Sequence, residues 1–110
     1  MQVPFMRKLL YSSFLILTSI VLANVFGFIS GVVADKESGE PLPGVQIVVE
    51  GTDCGAVTNL DGVYEIYRIP PGKHELSVEY LGYTSIKILN VEVIADSITK
   101  LDIAMDQGNF

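Results

Sequence analysis

Cysteine and histidine are almost absent from this sequence, whose 110 residues contain one of each, Cys54 and His74. A single thiol cannot form an internal disulfide, so the folded chain must be stabilised by packing. A structural zinc ion needs three or four protein ligands, and one histidine with one distant cysteine does not supply them. We therefore expect no metal and no other cofactor. Cys54 is interpreted as a loop or edge thiol, and His74 as a partly exposed packing residue.

Basic side chains are also scarce. After Ala23 the sequence has five lysines and arginines against 13 aspartates and glutamates, a formal net charge of −8. Proteins that bind nucleic acid carry clustered positive charge on the binding face. This acidic composition therefore argues against nucleic acid as a partner.

The sequence lacks the motifs of several common enzyme classes, namely the Gly-x-Ser-x-Gly elbow, the phosphate-binding loop and the Rossmann fingerprint. Three glutamates, Glu65, Glu75 and Glu79, are candidates for paired acid–base carboxylates, because cross-strand spacing in a hairpin could bring two of them together. Acidic residues in such positions usually form a solvated polar face, and we adopt that interpretation. The sequence predicts no catalytic residue and no enzymatic activity.

The segment from Asn59 to Gly62 could also be taken for the start of a calcium loop. An EF-hand loop needs oxygen ligands at positions 1, 3 and 5 and a bidentate glutamate at position 12. Counted from Asn59, position 5 is Val63 and position 12 is Pro70. We therefore interpret the segment as a tight turn.

The N-terminal residues form a separate segment. A basic pair at residues 7–8 precedes an apolar run over residues 9–22, and small residues follow it. A basic region, an apolar core and small residues after it are typical of a secretory signal peptide. We predict a signal peptide over residues 1–23, with cleavage as late as residue 27, and a retained membrane anchor is the alternative.

After this segment no helical periodicity remains, and short runs alternate between apolar and polar residues. Runs of period two separated by Gly, Pro, Asn and Asp are typical of strands and turns. Seven strands are predicted near residues 28–34, 45–50, 56–58, 64–69, 74–80, 84–94 and 98–105. The fold is thus expected to be all-β, a seven-stranded antiparallel β-sandwich. The domain is predicted to occupy residues 28–106, followed by the start of a linker or a tail at 107–110.

Three local features are expected within these strands. The fourth and fifth strands are predicted to form a hairpin through a type II turn at Pro71-Gly72. Tyr64, Ile66 and Arg68 should share one face of the fourth strand. A bulge near Leu89-Asn90 would bring the two apolar halves of the sixth strand into phase.

Two groups of residues are singled out. The first is predicted to hold turns, because it combines glycine, proline and short polar side chains: Gly44, Asn59, Asp61, Gly62, Pro71, Gly72 and Gly82. The second is a set of tyrosines expected to cluster near the turns of the fifth strand: Tyr67, Tyr80 and Tyr83. Aromatic side chains at one edge of a sandwich can stack on sugars or on another protein. We adopt the other interpretation, in which they close the ends of the core with their hydroxyls bound to backbone groups, and surface binding is the alternative.

The order of these motifs resembles a known family. Residues 29–35 (ISGVVAD) and 39–45 (GEPLPGV) are similar to the pattern G-x-V-x-D…G-x-P-L-P-G-V that opens carboxypeptidase regulatory-like domains. The similarity continues through residues 51–52 (GT) and 55–64 (GAVTNLDGVY), and it extends to residue 106. This resemblance implies a transthyretin-like (prealbumin-like) sandwich without the zinc and catalytic groups of the peptidase domain.

Within that family, the sequence resembles the domain that follows the signal peptide of SusC-like TonB-dependent outer-membrane receptors. The resemblance implies a non-catalytic, periplasmic interaction domain that precedes a plug and a β-barrel. Its expected partners are a periplasmic protein or the plug and barrel of the same receptor, and it would reach the outer membrane only through that barrel. Two alternatives stay open, a carbohydrate-binding module for a glycan and an auxiliary domain of a secreted metallopeptidase.

Overall fold

The computed structural model describes residues 25–108, and the predicted signal peptide lies outside them. This part of the chain contains no helix, and so none long and apolar enough to cross a bilayer. It contains eight strands, which are β1 (Gly27–Asp35), β2 (Gln46–Val49), β3 (Gly55–Val57), β4 (Val63–Ile69), β5 (Gly72–Glu79), β6 (Ile86–Val93), β7 (Ile98–Lys100) and β8 (Ile103–Met105).

The strands form two four-stranded sheets. In the first sheet β1 is central, with β4 on one side and both β7 and β8 on the other. The second sheet has the order β3-β2-β5-β6. The predicted all-β sandwich is therefore confirmed.

The eighth strand arises because the predicted last strand is interrupted at Leu101 and Asp102. Leu101 donates its N–H to the Ser30 carbonyl, at 2.8 Å. The Asp102 carboxylate accepts the N–H of Val32, at 2.9 Å, in place of a backbone carbonyl. One stretch of chain thus pairs with β1 as two short strands, β7 and β8.

The first sheet is mixed, whereas the sequence predicted antiparallel pairing throughout. β1 pairs antiparallel with β4, but parallel with β7 and with β8. Parallel pairing needs a long crossover connection. Here the connection is most of the domain, since the chain passes through both sheets before it returns to β1.

The hairpin predicted for the fourth and fifth strands is wrong. β4 pairs with β1 in the first sheet, and β5 pairs with β2 and β6 in the second. The segment at Pro70-Pro71 therefore carries the chain from one sheet to the other. Prolines have no N–H to offer a ladder, and both strands bury one apolar face, which two facing sheets satisfy better than one sheet does.

The face predicted for the fourth strand is correct for Tyr64 and Ile66 and wrong for Arg68. Ile69 is buried in its place, because Arg68 has a left-handed φ of 56° and shifts the alternation by one residue. Two residues of β4 then lie opposite Phe28 of β1. A strictly alternating strand would have buried a guanidinium group, which is costly without a partner.

The bulge predicted near Leu89-Asn90 is confirmed. Leu76 of β5 pairs with Ile88, and His74 pairs with Val91, so two residues of β6 lie opposite Glu75. Asn90 has φ of 57°, a conformation that asparagine tolerates better than most residues.

The core lies between the sheets and follows the predicted alternation. Its buried apolar side chains are Ile29, Val33, Leu42, Val45, Ile47, Val49, Tyr64, Ile66, Ile69, Leu76, Val78, Val91, Val93, Ile103 and Met105. Each such burial contributes roughly 1.5–3 kcal/mol relative to exposure. Residues 25–108 supply this whole cluster, and no buried side-chain nitrogen or oxygen among them lacks a hydrogen-bond partner.

Candidate functional site

The outer face of the first sheet carries a group of exposed apolar and aromatic side chains. Its central column is Phe28, Ser30 and Val32 of β1, which point away from the buried residues of that strand. The outward residues of β4 and β7 flank this column. We call this surface the first-sheet face and define it by Phe28, Ser30, Val32, Glu65, Tyr67, Ile98 and Lys100.

The strand register arranges these residues in rows. Phe28 is the cross-strand partner of Ile98, and its ring meets the Tyr67 ring edge-on, with centroids 5.8 Å apart and planes at 75°. In the next row Ser30 has Glu65 on one side and Lys100 on the other. Each row therefore crosses three strands.

The first row lines a shallow depression of about 340 Å³. Ile98 is 65% exposed and Tyr67 is 57% exposed, although both are large apolar or aromatic side chains. Exposed apolar side chains are common singly, but a contiguous group of them usually marks a contact surface. A partner that fills this depression would bury the exposed apolar surface of Ile98 and Tyr67.

Tyr67 is held in place by its neighbour on the same strand. Its hydroxyl donates to the Glu65 carboxylate. That hydrogen bond raises the pKa of Tyr67 above its usual value, because it favours the neutral phenol beside a negative charge. The ring is thus fixed beside Phe28 while its outer surface remains open.

The outer face of the second sheet has a different character. Its outward charged side chains are four acidic ones and two basic ones, namely Glu50, Glu75, Glu79, Glu92, Lys73 and Lys87. Ser77 donates to Glu50 across this face. Such a surface is solvated rather than apolar.

Two of the predicted tyrosines take part in the end of the sandwich. Tyr80 and Tyr83 pack against each other with ring centroids 5.4 Å apart. The Tyr83 hydroxyl donates to Asp35 Oδ2 at 2.7 Å, and Gln107 Nε2 donates to the same oxygen at 3.2 Å. This arrangement joins the end of β1, the loop after β5 and the C-terminal segment.

Asp35 is the centre of that junction. Its other oxygen, Oδ1, accepts the backbone N–H groups of Glu37 and Ser38 at 2.9 and 3.0 Å. The Ser38 N–H and then the Tyr83 hydroxyl are the main reasons that the pKa of Asp35 is lowered from 3.8 to about 2. Four hydrogen-bond donors surround this carboxylate, so its charge stabilises the fold at the junction of three segments.

The three tyrosines do not form the single cluster that the sequence suggested. Tyr67 lies on the outer face of the first sheet, towards the end where Gly27 pairs with Ile69. Tyr80 and Tyr83 follow β5 at the opposite end, beside Asp35. Sequence proximity misled here because β4 and β5 belong to different sheets. A binding role for any of the three stays a prediction.

Most residues predicted to hold turns lie in turns or directly beside them. The type II turn predicted at Pro71-Gly72 is wrong, because Pro71 lies in a bend and Gly72 is the first residue of β5, with φ of 133°. The Asn59 side chain accepts the N–H groups of Asp61 and Val63 at 2.9 and 3.0 Å. Gly62 has φ of 74°, and a Cβ there would lie 2.7 Å from the Val33 carbonyl oxygen. The remaining glycines of the group also have positive φ, namely Gly44 (83°), Gly72 (133°) and Gly82 (87°).

The candidate acid–base pair does not assemble as a hairpin pair. Glu65 belongs to the first sheet, whereas Glu75 and Glu79 belong to β5 in the second. His74 Nε2 lies 2.6 Å from the Pro70 carbonyl oxygen, and Cys54 Sγ lies 3.4 Å from the Arg68 carbonyl oxygen. Among the described residues, no three His, Cys, Asp or Glu side chains could jointly hold a metal ion.

Sequence reasoning missed three polar residues that organise the structure. They are Asp35, Asp102 and Thr58. Thr58 is buried, donates to the Leu42 carbonyl at 2.5 Å and accepts the Val45 N–H at 2.9 Å. An aspartate followed by a charged, glycine-containing loop is a local signal that could have identified Asp35. The contacts of Asp102 and Thr58 span many residues, so no local pattern reveals them.

Comparison with solved structures supports the fold. The domain is similar to a chain of a type II cohesin–X–dockerin complex from Acetivibrio cellulolyticus, with a TM-score of 0.64 at 22% identity, covering 76% of this chain and 60% of that one. It is also similar to the pilus 2b backbone protein of group B streptococcus, with a TM-score of 0.56 at 16% identity, covering 76% of this chain and 42% of that one. At such identities the likeness concerns the sandwich alone.

Comparison with curated proteins gives relatives of higher identity. A TonB-dependent receptor of Formosa agariphila is 36% identical over 84 residues, which are 76% of this chain and 8% of the receptor. A second receptor of the same organism is 40% identical over 60 residues, which are 54% of this chain and 6% of that receptor. The chain thus spans less than a tenth of the length of these relatives. The family model for the CarboxypepD_reg-like domain matches residues 29–109, and the chain therefore belongs to that family.

Proposed function

We propose that this chain is a non-catalytic interaction domain on the periplasmic side of a TonB-dependent outer-membrane receptor, where it forms an N-terminal extension. The observation that carries the proposal is the family membership together with the identity to two such receptors. The basic and apolar pattern of residues 7–22 supports export. The domain would present a rigid surface to a partner rather than transform a substrate.

The polar groups support a structural rather than a catalytic use. Asp35 is surrounded by hydrogen-bond donors, and the Tyr64 hydroxyl donates to the Leu101 carbonyl at 2.5 Å, while burial raises the pKa of that tyrosine. These are the groups whose pKa values are shifted most, and neither has a free functional atom in a cleft. The first-sheet face, with its exposed aromatic row, is the surface best suited to a partner.

The location and the attachment to a receptor can be tested together. An antibody raised against residues 25–108 would be used on fractionated cells of the source organism, and the recognised band would be identified by peptide mass spectrometry. We expect the band in the outer-membrane fraction, with peptides from a plug and barrel in the same polypeptide. A cytosolic band would contradict export, and a zinc-peptidase domain in the same polypeptide would favour the metallopeptidase alternative.

The interaction role needs a separate test. A photo-crosslinking amino acid would be placed at Ile98 in the first-sheet face and, as a control, at Lys87 on the outer face of the second sheet. Crosslinked adducts specific to position 98 are expected in the cell envelope. Equal adducts at both positions, or none at either, would contradict the assignment of the contact surface.

Glycan binding stays a prediction and has its own test. Soluble glycans would be titrated into the labelled protein, with the NMR signals of Tyr67, Tyr80 and Tyr83 followed. Shifts confined to these residues would support a carbohydrate-binding module. The absence of any shift would count against it.

A further inference from the structure

The first-sheet face has opposite properties on its two flanks. On the β4 flank lie Glu65 and Tyr67, and on the β7 flank lie Lys100 and Ile98. The strands are about 4.8 Å apart, so the two flanks are equally distant from the central column of β1. The Glu65 carboxylate and the Lys100 ammonium group therefore lie at equal distances on opposite sides of β1, and so do the Tyr67 ring and the Ile98 side chain.

From this arrangement we propose that the first-sheet face docks onto the same face of a second copy of this chain. The inference rests on the proposed function, since it names the partner of the interaction surface. A twofold axis in the plane of the interface, running along β1, exchanges the two flanks. Glu65 of each copy then lies opposite Lys100 of the other copy, and Tyr67 lies opposite Ile98.

The orientation is decided by charge. A twofold axis running across the strands through the row of Ser30 would place Glu65 against Glu65 and Lys100 against Lys100, with repulsion in both pairs. The axis along β1 converts both contacts into attraction, and like-charge juxtaposition at an interface is costly. Two twisted sheets pack face to face in this aligned way with about 10 Å between them.

The net charge of the domain favours this face over the others. Two copies of a chain with 13 acidic and five basic side chains after Ala23 repel each other in most orientations. The outer face of the second sheet carries four acidic residues against two basic ones, Lys73 and Lys87, so stacking two such faces would add to that repulsion. The first-sheet face contains one acidic and one basic residue, and its first row, with Phe28 at the centre, is apolar.

The test is a charge exchange followed by sedimentation velocity. The chain would be expressed with its own N-terminal residues, so that export can remove the predicted signal peptide, and then purified. Its sedimentation would be measured over a concentration series. Glu65→Lys, Lys100→Glu and the double variant with both changes would be measured in the same way. Each single change places like charges opposite each other twice in the dimer. We expect each to weaken the dimer by about tenfold or more, and the double variant to dimerise more tightly than either single variant. It should not reach the parent's affinity, because Glu65→Lys also removes the acceptor of the Tyr67 hydroxyl.

Matched controls come from the second sheet. Glu75→Lys and Lys87→Glu make the same charge changes outside the proposed interface, and they should leave the dimer unchanged. Circular dichroism of every variant would verify that the sandwich is retained.

Three results would overturn the inference. They are a chain that stays monomeric up to about 1 mM, a double variant no better than the single ones, and equal losses in the controls. In the first two cases, crosslinks to another envelope protein from position 98 would leave the proposed interaction function intact, so the two proposals fail separately.

Discussion

Three polar side chains hold together parts of the chain that are far apart in sequence. Asp35 binds the loop after β5 and the C-terminal segment, Asp102 replaces a carbonyl beside β1, and Thr58 fastens the loop before β2. Asp35 and Thr58 are buried, and buried polar groups are costly unless they are paired, so these two residues stabilise the fold only together with their partners. Substitution of any of them should loosen contacts between segments that are distant in sequence from the substituted residue.

Thr58→Val tests one of these residues with almost no change of shape. The variant leaves the Leu42 carbonyl and the Val45 N–H without the hydroxyl that bridges them. We expect a loss of about 1–3 kcal/mol in the free energy of unfolding, measured by chemical denaturation. Thr99→Val is the control, because the Thr99 hydroxyl binds only the Glu92 carbonyl at an exposed site. Equal losses in the two variants would contradict the role assigned to Thr58.

Asp35→Asn tests the carboxylate at the end of β1 through its pH dependence. The pKa of Asp35 is lowered from 3.8 to about 2 in the folded chain, so the ionised form stabilises the fold above pH 3.8. This contribution is lost as the pH falls towards 2. The parent should therefore have the higher thermal midpoint at pH 7, and the difference should shrink between pH 4 and pH 2.

The control for this series is Asp53→Asn. Asp53 is exposed, and its side chain makes no hydrogen bond within residues 25–108. Its substitution should change the thermal midpoint at pH 7 by much less than Asp35→Asn does. A difference between the parent and Asp35→Asn that stays constant down to pH 2 would contradict the assigned linkage.

At the scale of elements, β1 is the strand on which the first sheet depends. It pairs with β4 on one side and with β7 and β8 on the other. Gly31 lies directly against Leu101, which is in the segment between β7 and β8. The absence of a side chain at Gly31 allows the segment between β7 and β8 to pass this close to β1.

Gly31→Ala should therefore be destabilising although its backbone conformation is ordinary. A Cβ at this position would overlap the Leu101 carbonyl oxygen and would lie 2.6 Å from the carbonyl carbon. We expect a loss of roughly 1–3 kcal/mol in the free energy of unfolding, as for an overpacked core. Ser30→Ala, in the same strand but on the outer face, is the matched control and should change stability by less than about 0.5 kcal/mol. An unchanged stability of Gly31→Ala would show that β1 and the segment at Leu101 can move apart at little cost.

At the scale of the whole molecule, the first sheet is closed by the end of the chain. β7 and β8 supply the parallel partners of β1, and Ile103 and Met105 belong to the core. Gln107 also pairs with Tyr83 in an antiparallel bridge. The domain should therefore fold cooperatively only when β7 and β8 are present.

Truncation after Ser97 tests this dependence. It removes β7, β8 and two core residues, so β1 becomes an edge strand beside an open core. We expect loss of the cooperative fold, visible as collapsed dispersion in a proton–nitrogen NMR spectrum. Truncation after Gly108 is the control and should keep the parent's spectrum. A folded shorter variant would show that β4 alone suffices as a partner for β1.

The sequence predicted most of the local structure correctly. Alternation identified the buried residues of β2 and β5, and the turn chemistry at Asn59 and Gly62 gave the conformation observed there. The mismatch in phase between Ile88 and Val91 was enough to locate the bulge in β6. These predictions succeeded because each depends on residues that are close together in the chain.

The predictions that failed depend on which strands become neighbours. Period two is identical for a strand in a hairpin and for a strand that crosses to a facing sheet, so β4 and β5 were assigned to one sheet. The same limit placed Tyr67 with Tyr80 and Tyr83, and Glu65 with Glu75. No local signal distinguishes these arrangements, because both satisfy the same alternation.

The amino-acid sequence by itself determined that the chain folds as an all-β sandwich of this family, with particular side chains inside and particular turns at its corners. Tertiary structure alone decided the strand order, the parallel return of the chain to β1, and the apolar face that this order assembles from three separate strands. The physical reason is that burial and turn geometry are encoded over a few residues. Register is instead set by backbone hydrogen bonds and packing between segments up to about 70 residues apart, as between Ser30 and Leu101.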